Sequence, residues 1–310
     1  MSYRFQEHET VPDGVKRIAL EQIDKALELT TAGSKAGENL DKAIHDTRVS
    51  CKKLRGLLRL VRFELDDETF KTENVYYRDA NRRLSSVRDT AALVETLDKL
   101  IERFADQLAE PAFQTMRKSL TRSRNKAQFN KKKALAEVKK TLTEARQRVD
   151  KWPLENDNFS ALSKGLKRTY KQGRLGLATA FEQQSVENFH EWRKQVKYLW
   201  YHMRLLQPLW PALLQQLADE IKLLSDYLNA DHDLAMLREW VLEQPRNADD
   251  LTEIEALMAL IDQRRGELQV LAQLLGTRLY VEQPEVFKNR FYEYWRAWRS
   301  EQRVDPIAVG

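Results

Sequence analysis

The sequence predicts an all-α protein whose two halves are copies of one helical unit. Three observations lead there. Among the 310 residues, 32% are charged, with only 10 glycines and 8 prolines. A chain so rich in Leu, Ala, Glu, Lys, Arg and Gln favours long helices. No stretch sustains the apolar–polar alternation of a half-buried strand. Motifs of the first half recur in order in the second, at a nearly constant shift.

The prolines place the elements. Pro12, Pro111, Pro153, Pro208, Pro211, Pro245, Pro284 and Pro306 all fall where a helical pattern starts or stops. The expected helices are 12–30, 38–65, 67–90, 91–109 and 111–149, then 159–183, 186–207, 209–243, 250–275 and 284–303. TTAGSKAG (30–37) reads as a loop, and KWPLENDN (151–158) as the linker between halves. The halves echo one another three times. GVKR (14–17) matches GLKR (165–168). HDTRVSCKKLRGLLRL (45–60) matches HEWRKQVKYLWYHMRL (190–205) at a shift of 145, and LSSVRDTAAL (84–93) matches LNADHDLAML (228–237) at a shift of 144.

The second echo carries the chemistry. On a helical wheel His45, Arg48, Lys52, Arg55 and Arg59 share one face, while Leu54, Leu57, Leu58, Val61 and Leu65 gather on another. The copy repeats this with His190, Arg193, Lys197 and Arg204, flanked by Lys194 and Tyr201, against Trp192, Leu199, Met203 and Leu206. Trp200 replaces Arg55, so the copies differ. Like charges at these spacings repel by a few tenths of a kcal/mol per pair. A bound anion would relieve that repulsion, and so would acids from neighbouring helices. Asp89 and Asp233 are the candidate acids, placed to orient His45 and His190 or to pair with the arginines. A third stripe, Lys164, Lys167, Lys171 and Arg174 with Arg168 beside it, contains no acid. The run 117–133 is also rich in Lys and Arg without acid, but its density suits a solvated face.

Charge distribution points the same way. Net charge is +5, yet residues 205–310 hold 11 cations against 18 anions, while 111–150 hold 12 against 3. One face is therefore suited to a polyanion. No apolar run reaches the roughly 18 residues that span a bilayer, so no membrane role is expected. The first residues, MSYRFQEHETVPDG, show no signal-peptide pattern. Cys51, the single cysteine, has no disulfide partner in the chain, so a reducing cytoplasm is the expected setting.

These motifs resemble the CHAD family, the conserved-histidine α-helical domains. The likeness rests on H-D-x-R-V-x-x-K-K-L-R at His45–Arg55, H-E-W-R-K-x-V-K-x-L-W-Y at His190–Tyr201 and GLKRTYKQGR (165–174). It rests also on RLYVEQPEVF (278–287) followed by YWRAW (294–298). The resemblance spans about residues 10–303, as one domain with repeats near 10–150 and 159–303. It implies two four-helix bundles related by a pseudo-twofold axis around a basic central cavity. It further implies binding of inorganic polyphosphate, association with polyphosphate granules and their proteins, no cofactor and no catalysis. Arg82 joins the implied site, with Asp226 near the matching position of the second half. Polyphosphate suits such stripes physically, being a flexible chain of about one charge per phosphate with no bases to read.

Three rival readings stand beside this one: a metal phosphohydrolase, an RNA-backbone binder, and a structural module whose basic faces bind an acidic protein. His45–Asp46 and His232–Asp233 are HD dipeptides, as in all-helical metal phosphohydrolases. However, Lys194 stands where an H-E-x-x-H motif needs its second histidine. An RNA-backbone binder would use the same cations, with Tyr170, Tyr198, Trp200 and Tyr201 stacking bases. Trp192, Trp200, Tyr198 and the Phe287–Trp298 series sit at helical core spacing, so packing is their expected job and nucleic acid is expected only as a non-specific competitor.

Overall fold

The computed structural model describes residues 3–33, 39–85, 89–107, 113–127, 131–244 and 251–302. Among these residues all regular structure is helical. The helices are α1 (Val11–Ala32), α2 (Leu40–Leu60), α3 (Asp67–Ser85), α4 (Asp89–Arg103), α5 (Gln114–Ala127) and α6 (Lys131–Arg146). They continue as α7 (Ser160–Glu182), α8 (Val186–Leu206), α9 (Pro211–Glu243), α10 (Leu251–Leu279) and α11 (Pro284–Glu301). Local chemistry sets the starts. Asn39 Oδ1 accepts from the Lys42 amide at 3.0 Å, and Ser185 Oγ from the Asn188 amide at 3.1 Å. Each satisfies an amide that the first turn leaves without a partner. Pro12, Pro211 and Pro284 open α1, α9 and α11, where a missing N–H costs nothing.

Several expected boundaries change: α2 ends at Leu60 and not 65, α3 at Ser85 and not 90, α4 runs from Asp89 to Arg103 and not over 91–109, and α10 ends at Leu279 and not 275. The single helix expected over 111–149 is two helices, and residues 128–130 between them lie outside the described ones. The division follows packing. Met116 and Leu120 on α5 enter one core, whereas Leu135, Val138, Leu142 and Ala145 on α6 enter another. Residues 30–32, expected in a loop, complete the last turn of α1.

Helices α1, α2, α3 and α6 pack in a ring, each against at least two others of the set. Helices α7, α8, α9 and α10 form a second ring in the same order. Helix α2 joins the rings by touching α7 and α8. The larger core fills both rings and receives α11. The smaller core holds Leu97 and Leu100 of α4, Leu120 of α5, Leu237 and Val241 of α9, and Leu257 and Ile261 of α10. Helix α9, with 33 residues, is about 50 Å long at 1.5 Å per residue. It reaches both cores, because Leu214 to Leu228 face the larger and Leu234 to Val241 the smaller. The α4–α5 pair therefore packs on helices from the other end of the chain.

Two glycines set how closely α2 meets its neighbours. A Cβ on Gly165 would lie 2.0 Å from the Leu60 carbonyl oxygen, and one on Gly56 would lie 2.9 Å from the Tyr201 Cβ. Only hydrogen fits at either crossing. Ion pairs with one well-buried partner each tie the helices together. Arg148 Nε donates to Glu73 at 2.6 Å, Lys131 Nζ to Asp41 at 2.6 Å, and Arg265 Nε to Asp231 at 3.0 Å.

Candidate anion-binding site

The α2–α8 crossing brings the two histidine helices together. Positions that the sequence echo relates by 145 meet each other there. Gly56 abuts Tyr201, and Lys52 acts electrostatically on Lys197. Burial and then the charges of Arg193, Lys52 and Arg48, opposed by Asp233, hold the Lys197 ammonium down to about 6. Cations from both stripes thus crowd one place, four of them within electrostatic reach. Burial also lowers Arg193, with Asp233 as the opposing charge.

The arginines along this face are oriented largely by amides. Arg48 Nε donates to Asn81 Oδ1 at 3.2 Å, and Arg193 Nε to Asn229 Oδ1 at 2.6 Å. Arg55 Nε and Arg59 Nη1 share Asn74 Oδ1 at 3.2 and 3.0 Å. A neutral amide oxygen fixes a guanidinium without cancelling its charge. Arg59 also lies 3.9 Å over the Tyr198 ring. Burial, with smaller contributions from Arg55 and Arg168, lowers its pKa to about 10, while Tyr198 opposes. Arg168 on α7 thereby joins the group. Elsewhere arginines meet carboxylates, as in Arg17–Glu9, Arg117–Asp98, Arg146–Asp24 and Arg290–Glu282.

Arg204 stands on the other side of the crossing. It lies 5.2 Å over Trp200 and 5.9 Å over Tyr3, and it acts on Lys53. Burial, then Arg204 and Lys25, hold Lys53 down to about 8. The stripe pattern missed Lys53 because it sits off the stripe's wheel position, and Lys25 because it lies on α1. Lys222, 5.8 Å over Trp200, pairs with Asp226 at 2.5 Å.

Several expected site residues lie elsewhere. Tyr201 is 3% exposed, packed beneath α2, so its ring belongs to the core. Lys167 pairs with Glu285 at the start of α11, and Arg174 donates to Gln283 at 2.5 Å. Lys164 and Lys171 are exposed on α7. The α7 stripe therefore faces α11 and solvent, because the Gly165 edge of α7 is the one packed on α2. Lys194 pairs with Glu191 within its own helix, and Arg82 is exposed on α3. In the basic run, Arg117 pairs with Asp98.

The histidines divide by environment. His45 is exposed. His190 lies against His232, with ring centroids 4.8 Å apart and planes tilted by 53°, and burial followed by Arg193 and Lys194 lowers its pKa. His232 is held at about 3 by burial and then Arg193. Among the described residues no group of three or more His, Cys, Asp or Glu is placed to hold a metal. The Asp89 side chain lies outside the described residues, whereas Asp233 acts on Arg193 as the sequence suggested. Asn229 and Asp233 also line a cleft of about 560 Å³ against α4. His202, unmarked by any motif, is fully buried with its Nε2 3.0 Å from the Gly56 carbonyl oxygen.

Fold and site together define an all-helical protein that brings two basic helix faces into contact. The family model described as CHAD domain matches residues 17–242, and the chain belongs to that family. Among solved structures, PptA from Streptomyces chartreusis is similar with a TM-score of 0.61 at 13% identity, covering 88% of this chain and 100% of that chain. At that identity the likeness concerns the fold. No curated protein matches the sequence.

His202 generates a stability prediction. Burial, outweighing its bond to Gly56, holds it at about 3, against about 6.5 unfolded. Its neutral form is therefore fully compatible with folding above pH 6.5, and stability drains as pH falls from there toward 3. Each proton so taken up contributes at most about 1.4 kcal/mol per pH unit. Denaturant titrations of His202→Gln should show a shallower acid loss across that window. A slope equal to wild type would contradict the assignment.

Proposed function

We propose that the protein binds inorganic polyphosphate along the face where α2 and α8 meet, using Arg48, Lys52, Arg55, Arg59, Arg193 and Lys197, with Arg168 at one end. The observation that carries this is the convergence of both stripes on one crossing, with arginines held by Asn74, Asn81 and Asn229. Membership of the CHAD family fits polyphosphate binding in general. A chain of phosphates supplies the counter-charge at several successive points, and helices offer a donor every three or four residues. Arg204, Trp200 and Lys53 make a second, weaker edge on the far side. Lys194, Arg82 and the α7 lysines guide the chain at longer range. Binding rather than catalysis is the proposed role. His232, the histidine of one HD dipeptide, is crowded by Arg193, Lys197 and Arg265, which oppose a divalent ion. Association with polyphosphate granules in the cytoplasm follows from the same reading.

Charge reversal tests it. Lys52→Glu with Lys197→Glu should weaken polyphosphate binding and flatten the log–log salt dependence by about 0.7 to 0.9 per lost phosphate contact. The variants must stay folded by circular dichroism. Folded variants that bind as wild type would place the ligand elsewhere. RNA at equal phosphate concentration should fail to displace long-chain polyphosphate, whereas full displacement would favour a nucleic-acid binder.

Proton linkage gives a second test. With its ammonium held at about 6, Lys197 is mostly neutral in the anion-free protein at about pH 7.5. The cost of charging it in the fold is complete below pH 6 and vanishes above the unfolded lysine value of about 10.4. A phosphate beside it favours the charged form, so binding takes up a proton and tightens as pH falls toward 6. Calorimetry in buffers of different ionisation enthalpy should report that uptake in wild type and less of it in Lys197→Met. Equal heats in both buffers for wild type would contradict the linkage.

A further inference from the structure

The family match ends at residue 242, so α10 lies beyond it. One edge of α10 carries Leu257, Ile261, Leu268 and Ala272 into the cores. The opposite edge repeats every fourth residue as Asp262, Gly266, Val270, Leu274 and Arg278. Val270 is 56% exposed and Leu274 58%. Gly266 stands apart from the glycines at the crossings. A Cβ built on it meets nothing within 4 Å, whereas one on Gly56, Gly165 or Gly173 would strike a neighbour. Glycine inside a helix lowers stability relative to alanine. Nothing among the described residues of this chain requires it there. Close approach of a second backbone would make use of a glycine at that position.

The ridge is also complementary to its own reverse. Read along α10 it runs acid, hollow, Val, large apolar, base, centred on Val270. We propose that α10 is the face through which a second copy of this chain docks, with the two helices crossing antiparallel at Val270. Rows of i±4 residues on two helices run parallel when the helices cross at about −50°. In that crossing the partner's Leu274 lies over the Gly266 hollow, and the partner's Arg278 reaches Asp262. An isologous twofold interface makes each contact twice. Asp262 already accepts from Arg238 Nε at 3.0 Å but is half exposed, so its carboxylate can take a second guanidinium. The ridge's two apolar members fill the centre, and its charges sit at the ends where the helices diverge.

Light scattering after gel filtration, or sedimentation equilibrium, tests this from low micromolar to hundreds of micromolar protein. The mass should rise with concentration from 36.4 kDa toward twice that value. Leu274→Asp should remain folded and monomeric throughout. Arg278→Asp should weaken association several-fold, and adding Asp262→Arg should restore it, since the swapped charges meet again. Gly266→Ala should raise the melting temperature of the monomer yet weaken the dimer, opposite signs that a purely structural glycine would not give. A mass of one chain at every concentration overturns the proposal. So does a dimer that survives Leu274→Asp and the charge reversal unchanged.

Discussion

Gly56 leaves no space for a side chain between α2 and α8. Tyr201 occupies the place where its Cβ would be, and His202 reaches the Gly56 carbonyl. That contact joins the two rings of helices and decides which faces of both histidine helices meet. Because the helices approach so closely, Lys52 and Lys197 come within reach of each other, and Arg48 and Arg193 add their charge. Apolar packing thus enforces an electrostatic arrangement that the cations would not adopt alone. Leu54, Leu57, Leu58, Leu199 and Met203, all buried, supply that packing.

The remaining features of the site follow from the need to hold repelling cations still. Carboxylates on every arginine would neutralise the face. Asn74, Asn81 and Asn229 fix guanidinium planes through neutral amide oxygens. Tyr198 does the same for Arg59 through its ring. Asp233 adds an acid whose charge offsets part of the crowding at Arg193 and Lys197. The result is a preorganised set of donors that needs little rearrangement to meet phosphate oxygens.

Much of this was legible in the sequence, for reasons that also explain the rest. The separation of Leu54 and Leu58 from Arg48 and Lys52 is a property of one helix, and periodicity reads one helix well. The direction a stripe finally faces is a property of two helices. The α7 stripe turned toward α11 because Gly165 seats another edge of α7 on α2. Tyr201 sits beside the basic stripe on the wheel, yet a glycine 145 positions away buries it. Arg204 matched Arg59 by register but faces Lys53 across the crossing. The asparagine acceptors left no signal at all, since Asn74 lies 15 residues from Arg59 and no spacing rule links them. The expected 111–149 helix failed because both of its halves are strongly helical, and only the location of their cores divides them.

The most direct measurement of the central claim is quantitative amine labelling of the folded protein, read by mass spectrometry with and without long-chain polyphosphate. Burial and the charges of Arg193, Lys52 and Arg48 lower the Lys197 ammonium, which favours its reaction with an amine reagent near neutral pH, and Lys52 is its neighbour. Polyphosphate should protect both strongly, while Lys164 and Lys171 on the outer face of α7 keep most of their reactivity. Protection of the α7 lysines with Lys52 and Lys197 labelled as before would contradict the account.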